Sequence, residues 1–417
     1  MRTRKILPGD PLHDRHLLDL LPDDAPLSWV CRGEGIVGWG EAARLDTSGP
    51  HRFAEADAWW RRLHRQLRVD DEVRLPGTGP VAFTSLAFAD QPGDSAVVVP
   101  RVLVGQRDGV RWVTTVGEAE PPAEPEPVRP PGPIRYGDGQ LSATGYRAAV
   151  AEAVHRLNHG DPGDRLDKVV LAHDLLATPG EQLDPRFVLG NLADQYPGCW
   201  TFSVDGLVGA TPELLLERTG DRVRSRVLAG TVWPRRGHEP EQLAAELLDS
   251  AKNRSEHRYA VESLANKLQP FCTEMAVPSE PEVLQLHNLM HLATDVSGSL
   301  DRSLNGSASL LRMVGAVHPT AAVGGTPTAG AVRLIRELER MDRDRYAGPV
   351  GWLDGDGNGE LGIALRCARL QRGPSGDQAR LFAGGGIVAD SDPDMEVAEA
   401  EAKFRPVREA LEGNGRG

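Results

Sequence analysis

Cysteine is scarce in this chain of 417 residues. The four thiols, Cys31, Cys199, Cys272 and Cys367, lie far apart with no metal-ligand spacing, so a reduced, cytoplasmic protein is expected. Long apolar runs are also missing. None approaches the ~18 residues of a membrane-spanning helix, and MRTRKILPGD at the N-terminus lacks the apolar stretch of a signal peptide. Positive charge is in deficit. With 47 Lys and Arg against 60 Asp and Glu, the net charge is −13. Neither nucleic acid nor a membrane is an expected partner, and an anionic substrate would need a local cationic pocket or a metal. What is present is ordinary for a globular protein: 40% apolar residues, 26% charged, and length enough for a large core.

Residues 1–116 read as strands joined by Gly, Pro and Asp, among them VGWGEAARL, PVAFTSLAFA, SAVVVPRVLVG and RWVTTVG. One amphipathic helix, AEADAWWRRLHRQLRV, lies between the first two. No catalytic constellation occurs here, so this part is expected to complete the core. Residues 117–141 read as a linker, because Glu118 to Pro133 is dense in Pro and Glu and suits neither helix nor central strand. The rest, 142–411, carries the chemistry. Ser142 is a helix cap, Asp167 to Ala177 a buried strand, and Trp200 to Glu217 a hairpin turning at Asp205 and Gly206. One long helix is expected over Glu241 to Leu268 and a strand over His287 to Leu300. Further helices are expected over Ser307 to Val317 and Thr328 to Met341, and Arg366 is placed on a strand.

The most informative stretch is Leu381 to Phe404, LFAGGGIVADSDPDMEVAEAEAKF. It reads as a strand broken at Gly384, Gly385 and Gly386, then a helix begun by Asp392 and Pro393. Glu396, Glu399 and Lys403 share one helical face. Glycines allow a ligand close to the backbone, and carboxylates one turn apart suit a divalent cation. A tight turn before a solvated acidic helix fits the same residues. A second acidic segment, DGDGNGE over Asp354 to Glu360, starts like a calcium loop. Leu365 stands where the last ligand should be, so a hairpin turn is expected.

GGGIVADSDP followed by Glu396, Glu399 and Lys403 resembles the C-terminal signature of the chorismate-utilising enzymes: isochorismate, salicylate, anthranilate and aminodeoxychorismate synthases. Other segments resemble that family in the same order. They are KVVLA beginning at Lys168, GATPELLLE with Glu213, LAGT ending at Thr231, SAKNRSEH with Glu256, HLAT with His291, HPTAAVGGTP, and the segment carrying Arg366. The resemblance implies an α+β fold, a single large domain of two large packed β-sheets with outer helices and the active site between them. It implies Lys168 as general base and Glu213 as general acid. Glu256 and Glu396, supported by Glu399, would hold Mg2+ on the ring carboxylate. Arg366 and the backbone of Gly384, Gly385 and Gly386 would hold the enolpyruvyl carboxylate, with Thr231, His291 and Lys403 lining the site.

The implied reaction is chorismate to isochorismate, for menaquinone or catechol siderophore biosynthesis, in a monomer or weak homodimer. Ala229 stands where aminodeoxychorismate synthases carry a nucleophilic lysine, so amination through a covalent lysine adduct has no nucleophile. His173 replaces a usual Arg, and Ala321 a usual Pro. The competing readings are a salicylate synthase, which also expels pyruvate, an anthranilate synthase component, and a binding protein without catalysis.

Overall fold

The structure is a computed structural model that describes residues 1–119, 126–160, 165–233, 237, 239–285, 289–304, 308–373 and 376–413. Its architecture grows from one strand, Ser95–Arg107. SAVVVPRVLVGQR is rich in valine, whose branched side chain packs well on a pleated surface. Val97, Val99, Val102 and Val104 are all buried, each contributing about 1.5–3 kcal/mol. Glu34–Thr47 runs antiparallel along one side of this strand. The ladder slips between Glu41 and Ala43, opposite Pro100, which has no N–H to give. Along the other side lie Val81–Ser85 and Val110–Thr115.

The ladder therefore forks. One arm continues through Leu27–Cys31, Trp200–Val204, Leu207–Thr211, Cys367–Gln371 and Gln378–Ile387 to Lys168–Pro179. The other runs through Pro349–Asp354, Gly359–Ile363, Leu214–Thr219 and Arg222–Val232 to Met290–Leu300. The arms are two packed sheets, as the resemblance implied. Trp29 and Trp200 of the first each donate an indole N–H to Glu360 of the second, at 2.9 and 3.2 Å. Arg107 neutralises the same carboxylate at 2.6 Å. Residues 1–116 thus supply the strands from which both arms spring. Helices cover the outside, Ala143–His159 and Pro393–Glu412 against the first arm and Ala251–Leu268 against the second.

Local chemistry made several expectations hold. Ser142 Oγ accepts from Gly145 N, and Asp392 caps the last helix by accepting from Asp394 N and Met395 N. Asp205 and Gly206 turn their hairpin with φ of 51° and 77°. Asp354 to Glu360 is a hairpin turn, in which the Asp354 carboxylate accepts from Asp356 N and Asn358 N.

Other expectations need correction. The glycine run does not break its strand: Gln378–Ile387 is continuous, because Gly384 to Gly386 pair with Ala172 to Val170. The long helix is two, Pro240–Asp249 and Ala251–Leu268, since Ser250 turns extended and caps the second through Asn253 N. Arg366 lies on no strand but in a left-handed bend, with φ of 47°. The last part of the expected linker, Ile134–Asp138, adds an edge strand to Lys168–Pro179. Residues 120–125 of that linker, 287 and 288 of the expected strand, and 307 of the expected helix lie outside the described residues.

Candidate active site

The chain passes from one arm to the other at two places that lie side by side. Thr211 leads to Leu214 through Pro212 and Glu213, and Ile363 leads to Cys367 through Arg366. The crossings are bonded together, Ile363 N to Glu213 O at 3.1 Å and Ala210 N to Arg366 O at 3.2 Å. Both expected side chains therefore enter the gap between the sheets. A cavity of about 510 Å³ occupies that gap, and it brings together Lys168, Glu213, Thr231, Glu256, His291, Arg366, Gly384, Gly385, Gly386, Glu396, Glu399 and Lys403.

Lys168 opens its strand and donates from Nζ to Glu256 Oε1 at 2.5 Å. Burial pushes the Glu256 carboxyl up, but Lys168 beside it outweighs burial and holds it below the usual range. Among the described residues Glu213 has no such neighbour at bonding distance. It is 5% exposed, and burial pushes its carboxyl up to about 8 despite the charge of Lys168. It is therefore protonated at neutral pH. His291 is driven the other way, to about 3, by burial and by the charges of Arg366 and Lys403. It is a neutral imidazole whose Nδ1 meets Thr231 Oγ1 at 3.0 Å.

The glycines act through what lies against them. A Cβ at Gly386 would stand 2.5 Å from Lys168 Cε, and one at Gly385 would stand 2.9 Å from Glu396 Oε2. Beyond Leu381, which pairs with Ala368, no strand among the described residues pairs with its second side, so its backbone edge faces the cavity. Arg366 stands beside this opening, 8% exposed, and among the described residues nothing bonds its guanidinium. An unpaired buried guanidinium next to open backbone suits a carboxylate.

Besides Glu213, three carboxylates reach the same cavity, those of Glu256, Glu396 and Glu399. Glu396 accepts from Ser391 Oγ at 2.8 Å, and its carboxyl is raised by burial and by Glu399. Glu399 accepts from Lys403 Nζ at 2.6 Å, and Lys403 also donates to Gly384 O. Among the described residues no three such groups are drawn together at ligating distance. The donors still fit a hard divalent cation: all are carboxylate oxygens, and those of Glu396 and Glu399 converge over Gly385, 2.9 and 3.4 Å from one point.

Sequence reasoning missed Arg343 and Tyr346, which also line the cavity. They follow a helix in a segment where Arg340, Asp344 and Ala347 all have positive φ, a path no side-chain pattern announces. Two departures from the family pattern lie off the cavity. His173 is buried between Tyr146 and Phe404, and among the described residues neither of its ring nitrogens is bonded. Ala321 is buried, while Ala322 and Val323 after it reach the cavity wall. His318 of the HPT segment bonds Phe88 O instead.

Among the described residues no helix is long and apolar enough to cross a membrane. The chain is 33% identical, over 93% of its length and 85% of the relative's, to a salicylate biosynthesis isochorismate synthase of Pseudomonas aeruginosa. It is 35% identical to a putative isochorismate synthase MenF of Mycobacterium tuberculosis, covering 84% of this chain and 91% of the other. The crystal structure of a putative 2,3-dihydroxybenzoate-specific isochorismate synthase, DhbC from Bacillus anthracis, matches with a TM-score of 0.76 at 29% identity, over 95% of this chain and 98% of that one. Residues 30–129 and 127–412 match the family described as chorismate binding enzyme, and with this cavity between its sheets the chain belongs to that family.

Proposed function

We propose that this enzyme is an isochorismate synthase, an isomerase that adds water at C2 of chorismate and releases the hydroxyl from C4. The observation that carries the reading is Glu213, a buried carboxyl that keeps its proton up to about pH 8 in the same cavity as Lys168. A departing hydroxyl needs a proton, and a carboxylic acid held neutral at working pH supplies one. The attacking water must lose a proton, and Lys168 Nζ takes it. Base action requires Lys168 first to give up the proton with which Nζ holds Glu256 at 2.5 Å, leaving a neutral amine to accept the one from water.

Arg366 and the open edge at Gly384 to Gly386 hold the enolpyruvyl carboxylate, which fixes the ring between acid and base. Neutral His291, bonded to Thr231, lines the ring without adding charge. Glu256, Glu396 and Glu399 would hold Mg2+, which supplies positive charge to offset the ring carboxylate. Lys403 keeps Glu399 oriented. At position 229 the cavity wall is alanine, so no side-chain amine can form a covalent adduct there. The product feeds menaquinone or a catechol siderophore, and the enzyme works in the cytoplasm as a monomer or weak homodimer.

The test is product identity. Purified enzyme with chorismate and magnesium should give isochorismate in reversible balance with chorismate. Coupling to lactate dehydrogenase should show little pyruvate, and added ammonium should give no anthranilate. Stoichiometric pyruvate with salicylate fluorescence would overturn the reading.

A further inference from the structure

Two arginines line the cavity, and they are held differently. The Arg366 guanidinium is unbonded among the described residues, whereas that of Arg343 is nearly saturated. Arg343 Nε and Nη2 grip the two oxygens of Glu339 at 2.9 and 2.5 Å. Nη2 also donates to Val170 O at 2.7 Å, and Nη1 to Val323 O at 3.2 Å. The guanidinium lies over the Phe88 ring, 4.3 Å from its centroid. With four of about five N–H donors engaged, it has no fork left for a substrate carboxylate.

The Glu339–Arg343 pair is also deeply buried, with side chains 1% and 3% exposed. Burying two charges costs desolvation that mutual attraction barely offsets, and apolar replacements are often at least as stable. Stability alone is therefore a weak reason for the pair. Its bonds converge on the backbone beside Lys168. Glu339 Oε1 accepts from Ala172 N at 2.8 Å, and Arg343 holds Val170 O. Val170 N donates in turn to Gly324 O at 3.0 Å, one residue beyond the Val323 carbonyl that Arg343 also holds. The pair thus joins the strand that Lys168 opens to the segment leading into Gly325–Thr326. That segment pairs with Lys168 through Thr326. On its other side Lys168 lies against Gly386 without room for a methyl group.

We propose that Glu339 and Arg343 are a positioning pair for Lys168, fixing where its Nζ stands and acting on turnover through that lysine. The proposal rests on the reading of Lys168 as base. Arg343→Lys keeps the charge but loses the planar fork that serves Glu339, Val170 and Val323 together. In that variant kcat should fall about tenfold or more, since small misplacement of a catalytic group is costly. KM for chorismate should stay within about threefold, because Arg366 and the glycine edge are untouched.

The deciding measurement is a double-mutant cycle with Lys168→Ala. If Arg343 acts through Lys168, adding Arg343→Lys to Lys168→Ala should change kcat by less than about twofold. A further tenfold loss in the double variant would overturn the positioning role and leave the base assignment standing. Wild-type kcat in Arg343→Lys would overturn it as well. Undiminished turnover in Lys168→Ala alone would remove the base reading and this proposal with it. Should Arg343→Lys fail to fold, Glu339→Gln runs the same cycle, since it keeps an acceptor for Ala172 N and removes only the charge.

Discussion

Glu213→Gln keeps the shape of a buried side chain and removes its proton. Burial lifts the Glu213 carboxyl from an ordinary 4.5 to about 8, and the charge of Lys168 opposes this without prevailing. A carboxyl raised in the folded chain makes folding take up a proton between those two values. The stability it contributes is complete below the unfolded value and falls as pH rises, until it is lost above the folded one. At ~1.4 kcal/mol per pH unit, the rise from 4.5 to about 8 is worth at most about 5 kcal/mol. Glutamine has no such linkage. Denaturant unfolding at about pH 5.5 and pH 7.5 should show wild-type stability changing with pH more steeply than that of the variant, in the destabilising direction, by about 1.4 kcal/mol per unit. Kinetics adds a second arm. Wild-type kcat/KM should decline above pH ~8, and Glu213→Gln should lose about 10²–10⁴-fold in kcat without that alkaline limb. Parallel stability curves, with a variant within tenfold of wild type, would refute both the buried proton and its use.

Glu256→Gln should abolish magnesium-dependent turnover while the melting temperature stays within a few degrees; an unchanged magnesium dependence would take Glu256 out of the site. Gly386→Ala places a Cβ 2.5 Å from Lys168 Cε, so the lysine must move. A loss of about 10²-fold in kcat is expected. Gly137→Ala, where a Cβ meets nothing within 4 Å, should be silent, and equal effects at the two sites would refute the steric argument. His173→Phe keeps a ring against Tyr146 and Phe404 without two unbonded nitrogens. Burial holds this imidazole below its usual 6.5, so as pH falls the unfolded chain takes up this proton before the folded one does. Wild type should therefore lose more stability than His173→Phe between pH ~7 and ~5. Identical slopes in thermal melts would count against that cause.

Features closed within a few residues could be read directly. The caps at Ser142 and Asp392 and the turn at Asp205 and Gly206 depend on side chains reaching backbone two or three positions away, or on a left-handed φ that Asp and Gly accept. Resemblance supplied the candidate site, because its motifs keep their order along the chain whatever the path between them. What stayed hidden was decided by distant partners. The glycine run looks like a break, yet it is continuous strand because Lys168–Pro179 lies beside it. Arg366 reads as strand, but it bends because the chain must pass from one sheet to the other there. Nothing near Arg343 or Tyr346 marks them as cavity residues. Lys168 and Glu256 stand 88 positions apart and meet only when Ala251–Leu268 packs over the second sheet. Glu213 is the sharpest case. GATPELLLE names a glutamate, but whether that glutamate is ionised depends on how completely two sheets exclude water from it, and solvent exclusion belongs to the packed whole and to no single segment.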